Sequence, residues 1–221
     1  LFSEMITIWI ISFWEKLNCP KQFNLVELGA GNGEMMKIVI NTFNKFPQFK
    51  NSCNIKILEK SKLLKRIQKK VIKDQKVKWL DDLDELNNLP CIFIANEFFD
   101  ALPIKQFIKI KDKWHERYVE FINQKNQKFL DIPYDMQNLE RKIKFKISSK
   151  QKFIEYSPLS SKYLKDITDK IKLNDGGVLI IDYAYIEKEM KDTLHAISKH
   201  KYIDVLKNFG NSDITYNLSF H

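Results

Sequence analysis

The chain has 221 residues, 44% of them hydrophobic and 13% aromatic, which suffices for a full hydrophobic core and excludes a disordered chain. No apolar run reaches the roughly 18 residues that a membrane-spanning helix requires. The net charge of +9 arises from lysines scattered along the whole chain, and only Arg66, Arg117 and Arg141 are arginines. Scattered lysines are typical of a protein encoded by an AT-rich genome, so the charge does not favour a nucleic-acid partner.

The cysteines indicate the compartment. Cys19, Cys53 and Cys91 are far apart and show neither the spacing of zinc ligands nor a disulfide framework. We therefore expect no metal site and a reducing compartment, either the cytoplasm of a bacterium or, as the alternative, the mitochondrial matrix. We also expect the chain to be truncated at both ends, because helical periodicity begins directly after Leu1 and a strand pattern runs to the last residues.

Strands and helices alternate through the first half of the chain. Met5–Trp14 has the pattern of a buried amphipathic helix. The short apolar runs that predict strands are Phe23–Leu28, Asn54–Lys60, Lys76–Leu80 and Cys91–Glu97. A helix is predicted after each of the first three strands. The first ends near Phe43, the second is lysine-rich, and the third is short and is closed by Pro90. The lysine-rich helix is expected to bury Leu63, Leu64, Ile67, Val71 and Ile72. This alternation is typical of an open parallel sheet covered by helices.

The alternation breaks after Pro103. Period-two segments around a charged turn predict a β-hairpin over Ile104–Ile122, and a polar segment with one short helix follows as far as Lys150. The last third of the chain contains a predicted strand at 152–158, a helix at 157–173, a long buried strand at 176–185, a helical or irregular segment at 186–212 and a final strand at 214–220.

A glycine-rich turn joins the first predicted strand to the next helix and has the pattern of a cofactor site. Gly29, Gly31 and Gly33, with Ala30 between the first two, are spaced G-x-G-x-G, whereas a dinucleotide-binding turn has G-x-G-x-x-G. The position of the third dinucleotide glycine holds Glu34, whose carboxylate would repel a pyrophosphate. The spacing therefore favours S-adenosylmethionine, which carries no phosphate, and leaves a nicotinamide dinucleotide as the less favoured alternative.

Three carboxylates are placed to contact such a cofactor. Glu27 precedes the turn and is well placed for the ammonium group, while Glu59, at the end of the second strand, would accept hydrogen bonds from the ribose hydroxyls. Asp81 follows the third strand, next to Asp82, and one of these two carboxylates would hold the adenine amino group or cap the following helix. Dinucleotide sites also use an acidic residue at the position of Glu59, so this residue does not discriminate between the two cofactors.

Six segments of the chain resemble the MidA-like methyltransferases, in the same order. They are ELGAGNGEMM, ANEFFDALPIKQF, IEYSP, GGVLIIDYAY, DTLHAISKHKYID and SDITYNLSF. The resemblance covers nearly the whole chain, and the NEFFDALP block is its most distinctive part. It implies an α/β, class I (Rossmann-like, seven-stranded) methyltransferase fold with an inserted β-hairpin and helical lobe, and S-adenosylmethionine as the cofactor.

The resemblance also implies the organisation and activity of the chain. One methyltransferase domain would cover 1–221, with a cofactor-binding half at 1–103, an inserted lobe at 104–150 and the C-terminal part of the sheet at 151–221. The family includes a mitochondrial arginine methyltransferase that assists the assembly of respiratory complex I, so the implied substrate is an arginine in a complex I subunit.

Two departures from the family pattern leave alternatives open. The glycine-rich N-terminal region of the family is absent, and Ser219 replaces the usual aspartate of the final strand. A catalytically silent assembly or binding protein with the same fold is therefore one alternative. A methyltransferase acting on RNA or a small molecule is the other, because the surface is basic. The oligomeric state stays open.

Two carboxylates are the candidates for binding an arginine acceptor. Glu97 and Asp100 lie at the end of the fourth strand and in the next turn, where open α/β sheets bind ligands, and a carboxylate pairs bidentately with a guanidinium. Glu97 is the main candidate, although it also suits a turn-capping role, and Asn96 would contact the cofactor through its amide or backbone. The further candidates on the substrate side are Asp182, Tyr183 and His200.

Overall fold

The structure, a computed structural model, describes residues 1–74, 76–123, 126–199, 201–207 and 210–221. It divides into two compact units, each assembled from two stretches of chain. The first unit comprises Leu1–Phe98 and Lys162–Ile181, and the second comprises Phe99–Ser161 and Asp182–His221. Within the described residues, no helix is both long and apolar enough to cross a membrane.

The described residues form six α-helices, one 3₁₀ helix and fourteen β-strands. The helices are α1 Phe2–Lys16, α2 Glu34–Phe43, α3 Pro47–Ser52, α4 Lys62–Ile72, α5 Met136–Ile143 and α6 Pro158–Asn174, with a 3₁₀ helix at Leu83–Glu85. The strands are β1 Phe23–Leu28, β2 Cys53–Leu58, β3 Lys78–Leu80, β4 Cys91–Asn96, β5 Lys105–Ile110, β6 Lys113–Phe121, β7 Gln127–Pro133, β8 Phe153–Tyr156, β9 Gly176–Ile181, β10 Ala184–Tyr185, β11 His195–Ser198, β12 Lys201–Ile203, β13 Asp213–Thr215 and β14 Leu218–Ser219.

A five-stranded parallel sheet forms the centre of the first unit. Its strand order is β3-β2-β1-β4-β9, and all neighbouring strands run in the same direction. Strand β1 is buried at all of its positions, as expected for a strand covered on both faces. Phe23 and Leu25 of this strand share one hydrophobic core with Ile6 and Ile10 of α1 and with Met36 and Val39 of α2. The Rossmann-like α/β architecture is confirmed, and the described residues supply five strands of the seven expected.

The carboxyl ends of the parallel strands place the candidate cofactor residues. The glycine turn follows β1, Glu59 follows β2, Asp81 follows β3 and Glu97 follows β4. Since neighbouring parallel strands end at the same edge of a sheet, these segments lie along one edge, where open α/β sheets bind ligands. The sequence therefore predicts correctly which segments meet at this edge.

Helix α4 buries different residues from those predicted. The lysine-rich helix is present, but Leu63 is 66% exposed and Ile67 is 36% exposed, whereas Gln68 is completely buried. Hydrogen bonds satisfy the Gln68 amide on both of its polar atoms. These bonds offset the cost of burying a polar side chain, which is why a glutamine occupies a core position. The apolar stripe predicted for this helix is thus wrong at Leu63 and Ile67.

A four-stranded antiparallel sheet, in the order β7-β6-β5-β8, dominates the second unit. Strands β5 and β6 confirm the predicted hairpin. Phe107 and Ile154 of the sheet form a small core with Met136 and Leu139 of α5. The sequence does not predict β7, because its segment reads as polar. Strand β8, expected in the C-terminal part of the central sheet, pairs with β5 instead.

The strand predicted over residues 176–185 is interrupted. Strand β9 ends at Ile181, and β10, which pairs in parallel with β14, starts at Ala184. Between them, the Asp182 carboxylate accepts a hydrogen bond from the backbone N–H of Tyr183. Such a local side-chain bond competes with strand pairing for the backbone donor, which explains the break.

The last segment of the chain is also different from the prediction. The helical alternative for residues 186–212 is wrong, since the described part of this segment includes β11 and β12, which pair antiparallel. The strand predicted at 214–220 is divided into β13, which pairs with β11, and β14.

Candidate functional site

The glycine turn after β1 has the open backbone of a ligand-binding turn. Gly29, Gly31 and Gly33 all have positive φ angles, of 64°, 52° and 89°, which other residues adopt only at a cost. The backbone N–H of Gly33 donates to the carbonyl of Ala30 over 2.7 Å, and Gly33 then caps the N-terminus of α2. A β-carbon built at Gly31 would meet no atom of the described residues within 4 Å. The turn is therefore internally closed but leaves space beside Gly31.

Glu27 carries a buried carboxylate, one oxygen of which lacks a partner. It lies in β1, two residues before the turn, and is only 2% exposed. Its Oε2 atom has no hydrogen-bond partner among the described residues. Burial raises the pKa of Glu27 from 4.5 to about 8, because the carboxylate loses its hydration without gaining a counter-charge. An ammonium group at this position would supply the missing partner, as predicted for the methionine end of the cofactor.

Glu59 is held in a network that also reaches the glycine turn. Its Oε1 atom accepts a hydrogen bond of 2.8 Å from the backbone N–H of Ser61. Its Oε2 atom accepts one of 3.0 Å from Nε2 of Gln68, and the same nitrogen donates to the carbonyl of Gly31 over 2.9 Å. Each carboxylate oxygen can accept a second bond, so the residue keeps acceptor capacity for ribose hydroxyls.

The residues predicted after β3 and at the end of β4 have separate surroundings. Asp81 lies 2.7 Å from Nζ of Lys65, and its side chain is 79% exposed. The helix-capping alternative is realised by its neighbour, because Asp82 accepts from the N–H of Asp84 at the start of the 3₁₀ helix. Asn96 is half-buried at the end of β4, where it pairs with Ile181 of β9. An adenine contact by Asp81 and a cofactor contact by Asn96 stay predictions.

Glu97 adopts a backbone conformation that is uncommon outside glycine. Its φ angle is +47°, and its N–H donates to the carbonyl of Ile181 over 2.9 Å, which prolongs the pairing of β4 with β9. The side chain is exposed to solvent. A non-glycine residue held in the left-handed region is strained, and such strain is concentrated at functional sites. Eight other non-glycine residues of the described ranges also have positive φ angles, so it is the exposed carboxylate at the end of β4, and not the backbone alone, that suits a ligand contact.

In the second unit, Asp100 and Asp182 lie close together. Asp100 is 6% exposed and accepts a hydrogen bond of 2.8 Å from Oγ1 of Thr215. Oδ2 of Asp182 accepts from the backbone N–H groups of Phe99 and Asp100, over 3.1 and 3.3 Å. Burial, and then the charge of Asp100, raise the pKa of Asp182 from 3.8 to about 6. Tyr183 is 62% exposed beside it, and His200 lies outside the described residues.

Several residues of these networks are missed by the sequence analysis. Gln68 reads as part of the solvated face of a lysine-rich helix, although its spacing of four from Leu64 and from Ile72 is the signal that could have placed it in the buried stripe. Tyr216 donates a hydrogen bond of 2.8 Å to the carbonyl of Phe99. For Tyr216 and Thr215, the sequence predicts only that they belong to the last strand segment, and nothing in it indicates these contacts. Within the described ranges, no group of three or more His, Cys, Asp or Glu side chains is placed to hold a metal ion.

Comparisons with known proteins give consistent results. The family described as "Putative S-adenosyl-L-methionine-dependent methyltransferase" matches residues 5–221. "Protein arginine methyltransferase NDUFAF7, mitochondrial" of Xenopus laevis is 27% identical over 245 residues, and that of Homo sapiens is 25% identical over 244. The match covers 100% of this chain in both cases, but 56% and 55% of those proteins. The chain thus spans about half the length of the curated relatives that it matches.

A solved structure shares the fold. It is a likely methyl transferase of the COG1565 superfamily from Burkholderia thailandensis, bound to S-adenosyl-homocysteine. The TM-score is 0.77 at 18% sequence identity, with 99% of this chain and 58% of that chain covered. At this level of identity the likeness confirms the class I fold alone.

Proposed function

Because the chain belongs to the family described as putative S-adenosyl-L-methionine-dependent methyltransferases, we propose that it binds S-adenosylmethionine and transfers the methyl group to a protein arginine. The family predicted from the sequence is thereby confirmed, and its description names the cofactor that the glycine spacing favours. The observation that carries the proposal for this chain is the unpartnered Oε2 atom of buried Glu27, two residues before the turn. A buried carboxylate without a counter-charge is costly, and a cationic ligand group removes that cost.

The residues of the first unit fit the two polar ends of such a cofactor. Glu27 would bind the ammonium group, and the open backbone at Gly31 would accommodate the methionine moiety. Glu59, oriented by Ser61 and Gln68, would accept from the ribose hydroxyls. When bound, the cofactor would supply a methyl group on a positively charged sulfur: the acceptor nitrogen would attack this methyl group in line, the neutral thioether would leave, and the nitrogen would give up one proton. The protein then has to align the acceptor and exclude water.

The carboxylates after β4 are proposed to bind the acceptor. An arginine side chain is protonated and weakly nucleophilic, so a carboxylate beside the guanidinium must orient it and hold charge on the nitrogens that are not attacked. Glu97 has an exposed carboxylate on a strained backbone, and Asp100 is held by Thr215. We propose Glu97 as the main residue that orients the guanidinium and Asp100 as the second.

A respiratory complex I subunit is the acceptor that we propose, with the mitochondrial matrix as the compartment. The relatives from Xenopus laevis and Homo sapiens are named protein arginine methyltransferases and mitochondrial. These names support a protein arginine as the acceptor, and they favour the matrix over a bacterial cytoplasm. The proposal of a complex I subunit has the sequence resemblance as its only support.

Cofactor binding is tested by calorimetric titration of the purified protein with S-adenosylmethionine and, separately, with NADH. We expect binding of S-adenosylmethionine only. Glu27→Gln should weaken it by about tenfold or more, because a neutral amide no longer pairs with the ammonium group. Glu15→Gln is the matched control, since it removes an exposed carboxylate of α1, outside the glycine turn, and should bind as the wild type does. Equal affinities of the two variants would contradict the role of Glu27.

Methyl transfer is tested with cofactor that carries a labelled methyl group and complex I subunits from cells lacking the gene. We expect label on an arginine, located by mass spectrometry. Glu97→Gln should keep the cofactor affinity and lose most of the transfer, because its neutral side chain no longer holds the guanidinium. Label on RNA or on a small molecule would overturn the proposed acceptor, and cofactor binding without any transfer would support the catalytically silent alternative.

A further inference from the structure

Gln68 is completely buried and makes hydrogen bonds through both polar atoms of its amide. Nε2 donates to the carbonyl of Gly31 and to Oε2 of Glu59, over 2.9 and 3.0 Å. Oε1 accepts from Nε1 of Trp79 over 2.8 Å. The side chain therefore connects α4 with the glycine turn, with the carboxylate after β2 and with β3.

The orientation of this amide is fixed by its partners. The indole nitrogen of Trp79 is only a donor, and the Gly31 carbonyl is only an acceptor. If the amide turned by 180°, its oxygen would face the Gly31 carbonyl and the Glu59 carboxylate, and its nitrogen would face the indole N–H. All three contacts would become repulsive, so a single orientation is stable.

We propose that Gln68 is a positioning residue of the cofactor site, which fixes the carboxylate of Glu59 relative to the backbone of Gly31. The inference rests on the proposed function, in which Glu59 binds the ribose and the turn binds the methionine end. One amide nitrogen bridges the elements that hold these two ends, so it sets the separation between them. A carboxylate already tied to Ser61 and Gln68 also loses less freedom when it binds a ligand.

Gln68 acts on binding, because its partners hold the cofactor and not the acceptor. Its loss should therefore raise the KM for the cofactor and leave kcat nearly unchanged at saturating cofactor. A merely structural role would instead lower the amount of folded protein, with no selective change in KM.

The test is a double-mutant cycle measured by titration with S-adenosylhomocysteine. The four proteins are the wild type, Gln68→Met, Glu59→Gln and the double variant, with Arg66→Met as a control on the exposed side of the same helix. Methionine has a similar length but cannot donate a hydrogen bond. We expect Gln68→Met to weaken binding about tenfold or more. The loss in the double variant should fall well short of the product of the two single losses, because Gln68 acts largely through Glu59.

The outcomes separate this inference from the proposed function. If the wild type does not bind S-adenosylhomocysteine, both are overturned. If the wild type binds and Gln68→Met binds equally well, or if the two losses multiply, only the role of Gln68 is overturned. Should Gln68→Met not fold, Trp79→Phe decides, since it removes only the donor that orients the amide. Weaker binding by Trp79→Phe, with Arg66→Met unchanged, supports the role, and unchanged binding overturns it.

Discussion

Replacing Glu27 with glutamine should stabilise the folded protein even though it weakens cofactor binding. The native state holds the Glu27 proton with a pKa of about 8, whereas the unfolded chain has the ordinary value of 4.5. Below pH 4.5 both states are protonated and burial of this group costs no ionisation energy. As the pH rises from 4.5 to 8, the unfolded state gains the freedom to ionise and stability is lost progressively.

The free energy of unfolding falls by about 1.36 kcal/mol for each unit by which the pH exceeds the unfolded-state pKa of 4.5, until the pH reaches the native pKa of about 8. The loss amounts to about 3 kcal/mol at pH 7 and to about 5 kcal/mol above pH 8. Glutamine has nearly the same shape and does not ionise in either state, so the variant avoids the loss. We therefore expect Glu27→Gln to be more stable than the wild type at pH 7, by an amount that grows with pH.

The measurement is urea unfolding of both proteins, without cofactor, at pH 5, 7 and 9. The free energy of unfolding of the variant relative to the wild type should be small at pH 5 and reach a few kcal/mol at pH 9. Glu34→Gln removes the same charge from an exposed side chain and controls for the change in net charge, with an expected effect within about 0.5 kcal/mol at every pH. A difference for Glu27→Gln that does not change with pH, or that destabilises throughout, would refute the reasoning.

Three other predictions use the same purified protein. Gly29→Ala should cost about 2 to 3 kcal/mol of stability, because its β-carbon would lie 2.8 Å from the Phe98 ring. Gly31→Ala should cost about 1 kcal/mol, because only its positive φ angle is unfavourable for alanine. Equal losses of the two variants in urea unfolding would contradict this difference. The Asp182 carboxyl has a raised pKa of about 6 in the folded protein, so the wild type loses stability as the pH rises from 3.8 through 6. Asp182→Asn cannot ionise and should become more stable relative to the wild type across this window. Melting temperatures of both proteins between pH 4 and 7 measure the difference. Glu27, with a pKa of about 8, is mostly protonated at pH 7 and must ionise to pair with an ammonium group, so binding of S-adenosylhomocysteine should release close to one proton. Calorimetric titration in two buffers of different ionisation enthalpy measures this release. Binding without proton release would contradict the pairing of Glu27 with the ammonium group.

The parallel sheet of the first unit was predictable from sequence because its central strands, β1 and β4, are buried on both faces. Continuous apolar runs such as Phe23–Leu28 have few other structural solutions, and β1 has those bounds. The second unit was harder, because β7 is largely exposed and β10 to β14 have only two to four residues each, so their sequences do not separate from loops. At the break of the long strand, the Asp182 carboxylate accepts hydrogen bonds from its neighbour Tyr183 and also from Phe99 and Asp100, which lie far away in sequence. Such long-range contacts leave no pattern in the sequence around Asp182.

The candidate site divides in the same way. The glycine turn and Glu59 are local signals, because each lies directly after a predicted strand, and the structure places both at the same edge of the sheet. Gln68 and Thr215 act through side chains brought together by the fold. From its polarity alone, Gln68 was predicted to lie on the solvent-exposed face of the helix. A glutamine is buried only when its hydrogen bonds are satisfied, and those of Gln68 depend on partners in other elements.

Completeness of hydrogen bonding also separates the buried polar residues of the first unit by their role. Gln68 and Glu59 have partners within the protein and so contribute to the rigidity of the edge on which they lie. Glu27 is different, because a buried oxygen atom of its ionisable group has no partner among the described residues, in a strand that is otherwise mostly apolar, whereas the buried, unpartnered Oδ1 of Asn24 in the same strand belongs to a neutral amide. An apolar residue there would avoid a loss of about 3 kcal/mol at pH 7. A carboxylate that costs stability in the free protein, two residues before a turn with open space at Gly31, is accounted for if a cationic ligand supplies the missing charge.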